Sequence, residues 1–235
     1  MKQLALDIGL SSRPSLERFF AGPNDAALSH LRLWTRGGTR APVPTYLWGE
    51  SGSGKTHLLQ AVLGEVVARG WGGISLGATQ CQMWDAWAPG WPTLAVIDDC
   101  DQLPAEHQHL AFNLFVQAAE ARADATEGPL YILAAGRLAA ADLPVRDDLR
   151  TRLAWGLSFA LHPLDDAGVR EALKLEAARR GLTLGDELLH HLLTRFSRNL
   201  GLLMALLDQL DDYALAQHRS PTVPLLKQML ALETP

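Results

Sequence analysis

Between Gly49 and Thr56 the chain reads GESGSGKT. Glycines alternating with small residues, then a lysine and a hydroxyl, are the residue types that hold a phosphate chain. Gly49, Gly52 and Gly54 let successive backbone amides turn into one concavity, and the N-terminus of a following helix adds its dipole. Lys55 is expected to reach the β and γ phosphates as a point charge, and the Thr56 hydroxyl to ligate Mg²⁺. Glu50, Ser51 and Ser53 complete the loop, and His57 follows it directly. The alternative is a surface loop that happens to carry a lysine. Context weighs against it: apolar YLW precedes the loop and the amphipathic run HLLQAVLGEVVARG follows, the strand, loop and helix order that a P-loop needs.

A second constellation is TLAVIDDCDQL, residues 93 to 103. An apolar strand that ends in Asp98 and Asp99 delivers carboxylates beside the phosphate site. Asp98 is expected to hold Mg²⁺ through water, and Asp99 to orient or deprotonate the attacking water. Taken alone, an Asp pair after an apolar strand fits a solvated turn or helix cap equally well. Following a P-loop by some forty residues, it fits the metal reading better.

These residues need elements to hold them. Short apolar runs alternate with helical patterns, the rhythm of a parallel sheet with crossover helices. Strands are expected at PTYLW (44 to 48), GGISL (72 to 76), TLAVID (93 to 98), LYILAA (130 to 135) and GLSFALH (156 to 162), with helices starting near His57, Glu106 and Asp147. After Pro163 nearly everything is helical, with apolar residues at threes and fours in ELLHHLLTRF and LLMALLDQLDDYAL. The expected organisation is therefore an α/β base over 13–162 with a parallel five-stranded sheet, a small helical domain over 163–235, and an N-terminal tail over 1–12.

Composition bounds the rest. The chain has 235 residues, 48% of them hydrophobic, and a net charge of −5, which speaks against a surface built mainly to grip nucleic acid. Cys81 and Cys100 form no disulfide framework, and no apolar segment of about 20 residues is present. A reducing cytoplasm is the expected home. His107 with His109, and His190 with His191, lack metal-ligand spacing and read as helix surface. Trp84, Trp87 and Trp91, in MWDAWAPGW, read as core or interdomain packing in a structured loop, with an exposed partner patch as the alternative.

Taken together, these motifs resemble the AAA+ ATPases and, among them, the DnaA-like group, over nearly the whole chain. YLWGESGSGKTHLLQA is similar to the Walker A region and AVIDDCDQL to Walker B. FFAGPND, with Phe20 and Asn24, is similar to the segment that lies near the nucleotide base. DLRTRLAWGLSFALHPLD resembles box VII, in which the arginine before the Leu-x-Trp-Gly turn is the arginine finger; here that residue is Arg152. The resemblance implies an AAA+ P-loop base with a helical lid, bound ADP or ATP with Mg²⁺, and Arg152 acting in trans.

The initiators of the group carry a further helix-turn-helix domain, whereas this sequence stops at Pro235 after the lid. The resemblance therefore points to a regulator of DnaA, without sequence-specific DNA binding and without a membrane, that limits replication initiation by stimulating hydrolysis of DnaA-bound ATP. Gln3, Leu4, Leu6 and Ile8 resemble the short peptide with which replication proteins dock on the DNA polymerase sliding clamp. Read alone, the alternation fits an edge strand of the chain's own sheet better, and only the resemblance reverses that preference. Two positions depart from the family pattern: Ala134 stands at the aligned sensor I position and Gly201 at sensor II, with Arg198 one turn away. Weak intrinsic hydrolysis is the expectation. Two other readings stay open, an accessory or helicase-loader type ATPase that binds single-stranded DNA, and a nucleotide-stabilised clamp adaptor. Head-to-tail self-association is compatible with each.

Overall fold

The computed structural model describes residues 14–35, 43–85, 90–120, 128–196 and 200–233. The tail residues Gln3, Leu4, Leu6 and Ile8, together with Trp87 and Arg198, lie outside them. The chain divides into two compact units, Ser15–Ala172 and Leu173–Pro235.

In the first unit, helix α1 (Asp25–Thr35) precedes strand β1 (Thr45–Trp48), which runs through the glycine loop into α2 (Lys55–Ala68). Then come β2 (Gly72–Leu76), β3 (Cys81–Trp84), β4 (Thr93–Ile97), α3 (Ala105–Glu120), β5 (Leu130–Gly136), α4 (Asp147–Ala154) and β6 (Leu157–Ala160). The sheet order is β3-β2-β4-β5-β1-β6. Five strands are parallel, at the five segments read from the sequence, and β3 adds a sixth, antiparallel to β2 at the edge. The sequence reading places no strand there and puts Met83 and Trp84 at the start of a structured loop. All four residues of β3 are exposed, so it has neither the apolar run of a central strand nor the alternation of a half-buried one.

Period-two alternation divides the core between the two sheet faces. Leu47, Leu94, Val96 and Leu133 pack with Leu58, Leu59 and Val62 of α2 and Leu28 and Leu31 of α1. Tyr46, Ala95, Ile97 and Ile132 face Ala111, Leu114 and Phe115 of α3 and Leu149 and Leu153 of α4. Buried on both sides, the strands leave their C-terminal ends, where β1 and β4 deliver the glycine loop and Asp98, as the open edge for a ligand.

Helix α5 (Asp166–Arg179) runs across the division between the units. The second unit continues with α6 (Asp186–Arg195), α7 (Leu200–Gln217) and α8 (Val223–Glu233). Leu188, Leu189, Leu192, Leu203, Leu207, Leu210, Leu225 and Leu226 supply its core. Glu176, only 6% exposed, accepts two hydrogen bonds from Arg180, at 3.1 and 2.9 Å, and Arg180 also pairs with Asp208.

Candidate functional site

The glycine loop has the backbone that only glycine adopts at low cost. Gly49, Gly52 and Gly54 lie at φ 154°, 82° and 95°. A Cβ on Gly54 would sit 2.6 Å from the Phe19 ring, and one on Gly49 would collide with the Leu161 carbonyl. Lys55 opens α2 and is 7% exposed; its Nζ donates to the carbonyls of Gly49 at 2.7 Å and Glu50 at 2.8 Å. The Ser53 hydroxyl, 4% exposed, has no hydrogen-bond partner among the described residues. An orphaned buried hydroxyl inside a loop closed to side chains is what a phosphate cradle looks like before its ligand is added. The residues present thus fit a nucleotide.

Opposite the loop, Asp98 follows β4, and the Asp99 amide donates to Asp98 Oδ1 at 2.9 Å from a left-handed backbone at φ 47°. Burial lowers the Lys55 pKa, with Asp98, Asp99 and Asp101 opposing that shift and Arg137 adding to it. Asp99 is raised, first by burial and then by the like charges of Asp98 and Asp101. The structure therefore gathers Lys55, Asp98 and Asp99 into one electrostatic unit, with Thr56 exposed on the first turn of α2.

The sequence singled out neither Asp101 nor Arg137. Asp101 Oδ1 accepts the Arg137 backbone amide at 2.9 Å. The legible signal was a lone cation ending the apolar run LYILAAG.

The remaining candidates scatter. Asn24 is buried, and its carboxamide is engaged with the backbone of His162: Nδ2 donates to the carbonyl at 2.9 Å and Oδ1 accepts the amide at 2.8 Å. Phe19, the neighbour of Phe20, lies on the loop, its ring centroid 5.8 Å from that of His57, and His57 Nε2 donates to the Ser15 carbonyl at 3.1 Å. Ala134 is buried in β5, in register with Tyr46 and Ile97. Gly201 sits in the first turn of α7, in the second unit. Trp84 and Trp91 are 39% and 41% exposed. His107 Nδ1 donates to the Gly77 carbonyl at 2.6 Å, while His190 is exposed and His191 half-buried.

Arg152 lies in the last turn of α4. The other arginines there are engaged: Arg146 pairs with Asp148 at 2.6 Å and Arg150 with Asp147. The Arg152 carbonyl accepts the Trp155 amide at 3.2 Å, but its guanidinium makes no hydrogen bond or ion pair to any described residue. It lines an open surface groove of about 880 Å³ together with Phe112, Thr151 and Trp155, the last 57% exposed. Gly156 turns the chain behind it at φ 149°, where a Cβ would strike the Pro44 carbonyl.

A family model described as the lid domain of Hda matches residues 166–230. Domain III of the Thermotoga maritima initiator DnaA superposes with a TM-score of 0.68 at 18% identity, over 98% of each chain. An uncharacterised Haemophilus influenzae protein is 31% identical over 236 residues, 98% of this chain and 99% of that one. The chain belongs to the Hda-like, DnaA-related AAA+ proteins. A DnaA structure bound to AMPPCP and single-stranded DNA matches with a TM-score of 0.63 at 22% identity; it covers 84% of this chain, which spans 64% of that initiator. As an Hda-like AAA+ protein the chain has the base and lid of this fold, with β3 as an added edge. Among the described residues no helix is long and apolar enough to cross a membrane.

Proposed function

We propose that this chain is a negative regulator of replication initiation that supplies Arg152 in trans to the nucleotide site of DnaA. One observation carries the reading. The Arg152 guanidinium has no hydrogen-bond or ion-pair partner among the described residues and lines a surface groove, while the neighbouring Arg146 and Arg150 pair with Asp148 and Asp147. A planar guanidinium can donate to two phosphate oxygens at once as charge spreads over them, and such a residue raises phosphoryl transfer by roughly 10³ to 10⁵.

The chain's own P-loop would hold ADP or ATP. Gly49 to Gly54 would turn backbone amides and the Ser53 hydroxyl toward the phosphates, Lys55 would exchange its loop carbonyls for phosphate oxygens, and Thr56 and Asp98 would hold Mg²⁺. The bound nucleotide supplies negative charge that offsets the buried lysine. Ala134 offers no polar atom to position water, so intrinsic turnover is slow and the nucleotide is mainly a structural ligand. Gln3, Leu4, Leu6 and Ile8 would dock on the sliding clamp and bring Arg152 to newly replicated DNA.

The test is hydrolysis of DnaA-bound ATP with and without DNA-loaded clamp. Arg152→Ala is expected to reduce stimulation by about 10³ while this chain still binds nucleotide. Full stimulation by the variant overturns the finger. Salt-sensitive binding to single-stranded DNA with no stimulation by the parent chain would favour the accessory ATPase instead.

A further inference from the structure

The sheet ends on one side at β3, and the way β3 pairs with β2 fixes what that edge offers. The two strands join through a tight turn in which the Gly77 amide donates to the Gln80 carbonyl at 2.9 Å. Antiparallel pairs alternate between bonded and non-bonded. Counting back from Gly77 and Gln80, Ser75 with Gln82 and Gly73 with Trp84 are bonded pairs, whereas Leu76 with Cys81 and Ile74 with Met83 are not. The Leu76 carbonyl agrees with this count, since it turns to the β4 side and accepts the Asp98 amide at 2.8 Å. Cys81 and Met83 therefore point their amides and carbonyls away from β2. Among the described residues nothing pairs with them there.

Sheet edges are commonly blunted by charge, proline or a bulge. β3 has none of these: CQMW holds no charged residue and no proline, and its register with β2 runs unbroken. Its side chains are open to solvent, with Met83 70% and Trp84 39% exposed. Trp84 lies on the α2 face, its ring 3.2 Å from where a Gly73 Cβ would stand beside Val67 and Leu63. Gln82 shares that face, and Cys81 and Met83 take the other.

We propose that β3 is a homodimer interface, pairing antiparallel with β3 of a second copy of this chain and joining two six-stranded sheets. The outward groups set the register. A two-fold axis through Gln82 places Cys81 opposite Met83 of the second copy, and Met83 opposite Cys81, so every outward amide and carbonyl of both strands is bonded. An axis through Cys81 would pair Met83 with Thr79 in the turn, and one through Met83 would pair Cys81 with Asp85; both lie outside the strand. Self-complementarity selects a second copy over another extended peptide. The two strands answer each other group for group, and neither carries the charge that keeps identical edges apart. Met83 is then covered by Cys81 of the copy, and Trp84 reaches diagonally to Gln82 of the copy. β6, into which α4 leads, forms the other edge of the sheet, so pairing at β3 leaves the Arg152 groove uncovered whatever that arginine does.

Sedimentation velocity of the full-length chain under reducing conditions, from about 1 to 100 µM, reads the dimer dissociation constant. Met83→Pro removes an outward amide without touching a bond to β2; it is expected to keep the melting temperature and to weaken the dimer at least about 10-fold. Met83→Lys keeps the amide and adds an edge charge, with a loss of similar size expected. Gln82→Cys in a Cys81→Ser background is expected to form a disulfide-linked dimer under mild oxidation, because Cα atoms at the axis stand about 4.5 Å apart. The parent should not, since Cys81 and its copy are about 8 Å apart, beyond disulfide reach. A parent that stays monomeric across the range leaves the edge to some other extended peptide and overturns the proposal. A dimer that neither Met83 variant weakens overturns it too, and a dimer without the Gln82→Cys link overturns the antiparallel pairing.

Discussion

Asp99 shows what the site costs the unliganded chain. Burial and the charges of Asp98 and Asp101 raise its pKa, with Lys55 and Arg137 opposing. A carboxyl whose folded pKa is raised binds its proton more tightly when folded, so its favourable contribution is full at acid pH and is lost as pH rises through the folded value. At neutral pH the ionised group therefore opposes folding. Asp99→Asn is expected to raise the melting temperature of the nucleotide-free chain at pH 7, with the gain fading as pH falls into the carboxylate range. Calorimetric melts from pH 4 to pH 7.5 check it; a gain independent of pH would mean that charge is not the cause. If Asp99 orients the attacking water, as proposed, it is a residue that stability alone would remove.

Elements were legible where their burial was uniform. β1, β2, β4 and β5 are interior parallel strands, which is why TYLW, GGISL, TLAVI and LYILAAG stand out as apolar runs between glycines, prolines and polar breaks, whereas β6 is the parallel edge strand beside β1, with Leu157 and Ser158 exposed, and was legible only from the mixed run GLSFALH. β3 left no such trace because all four of its residues are exposed and only its backbone pairing to β2 makes it a strand. The P-loop and the Asp pair were legible because their chemistry is written in contiguous residues. Arg137 and Asp101 were not, since what joins them is a hydrogen bond across 36 residues of sequence. Asn24 is a similar case. The sequence suggests a neighbour of the base, whereas its carboxamide clasps the strand-end backbone at His162, joining the segment before α1 to the segment after β6. Asn24→Ala strips a buried amide and carbonyl of their partners and is expected to cost about 2 kcal/mol in a urea midpoint experiment. An unchanged midpoint would mean that water replaces the clasp.

At the scale of the whole chain the proposed activity separates into a place and a reaction. In the proposed activity the clamp peptide would be Gln3 to Ile8 and the finger Arg152, so the two roles can be tested by separate variants. A tether acts by raising local concentration, to the order of millimolar for a short flexible link, without touching the transition state. A finger acts on the transition state, whose stabilisation no concentration can replace. Leu4→Ala with Leu6→Ala should therefore abolish clamp-dependent stimulation of DnaA-bound ATP hydrolysis at low chain concentration and recover it as the chain is raised toward its untethered affinity. Arg152→Ala should stay inactive at every concentration. Titrating both variants against a fixed amount of DnaA and DNA-loaded clamp distinguishes the roles by the shape of the curve. If the tail variant cannot be rescued by concentration, the peptide contributes to the reaction geometry itself and the division between place and chemistry fails; if Arg152→Ala can be rescued, its guanidinium adds affinity and not catalysis.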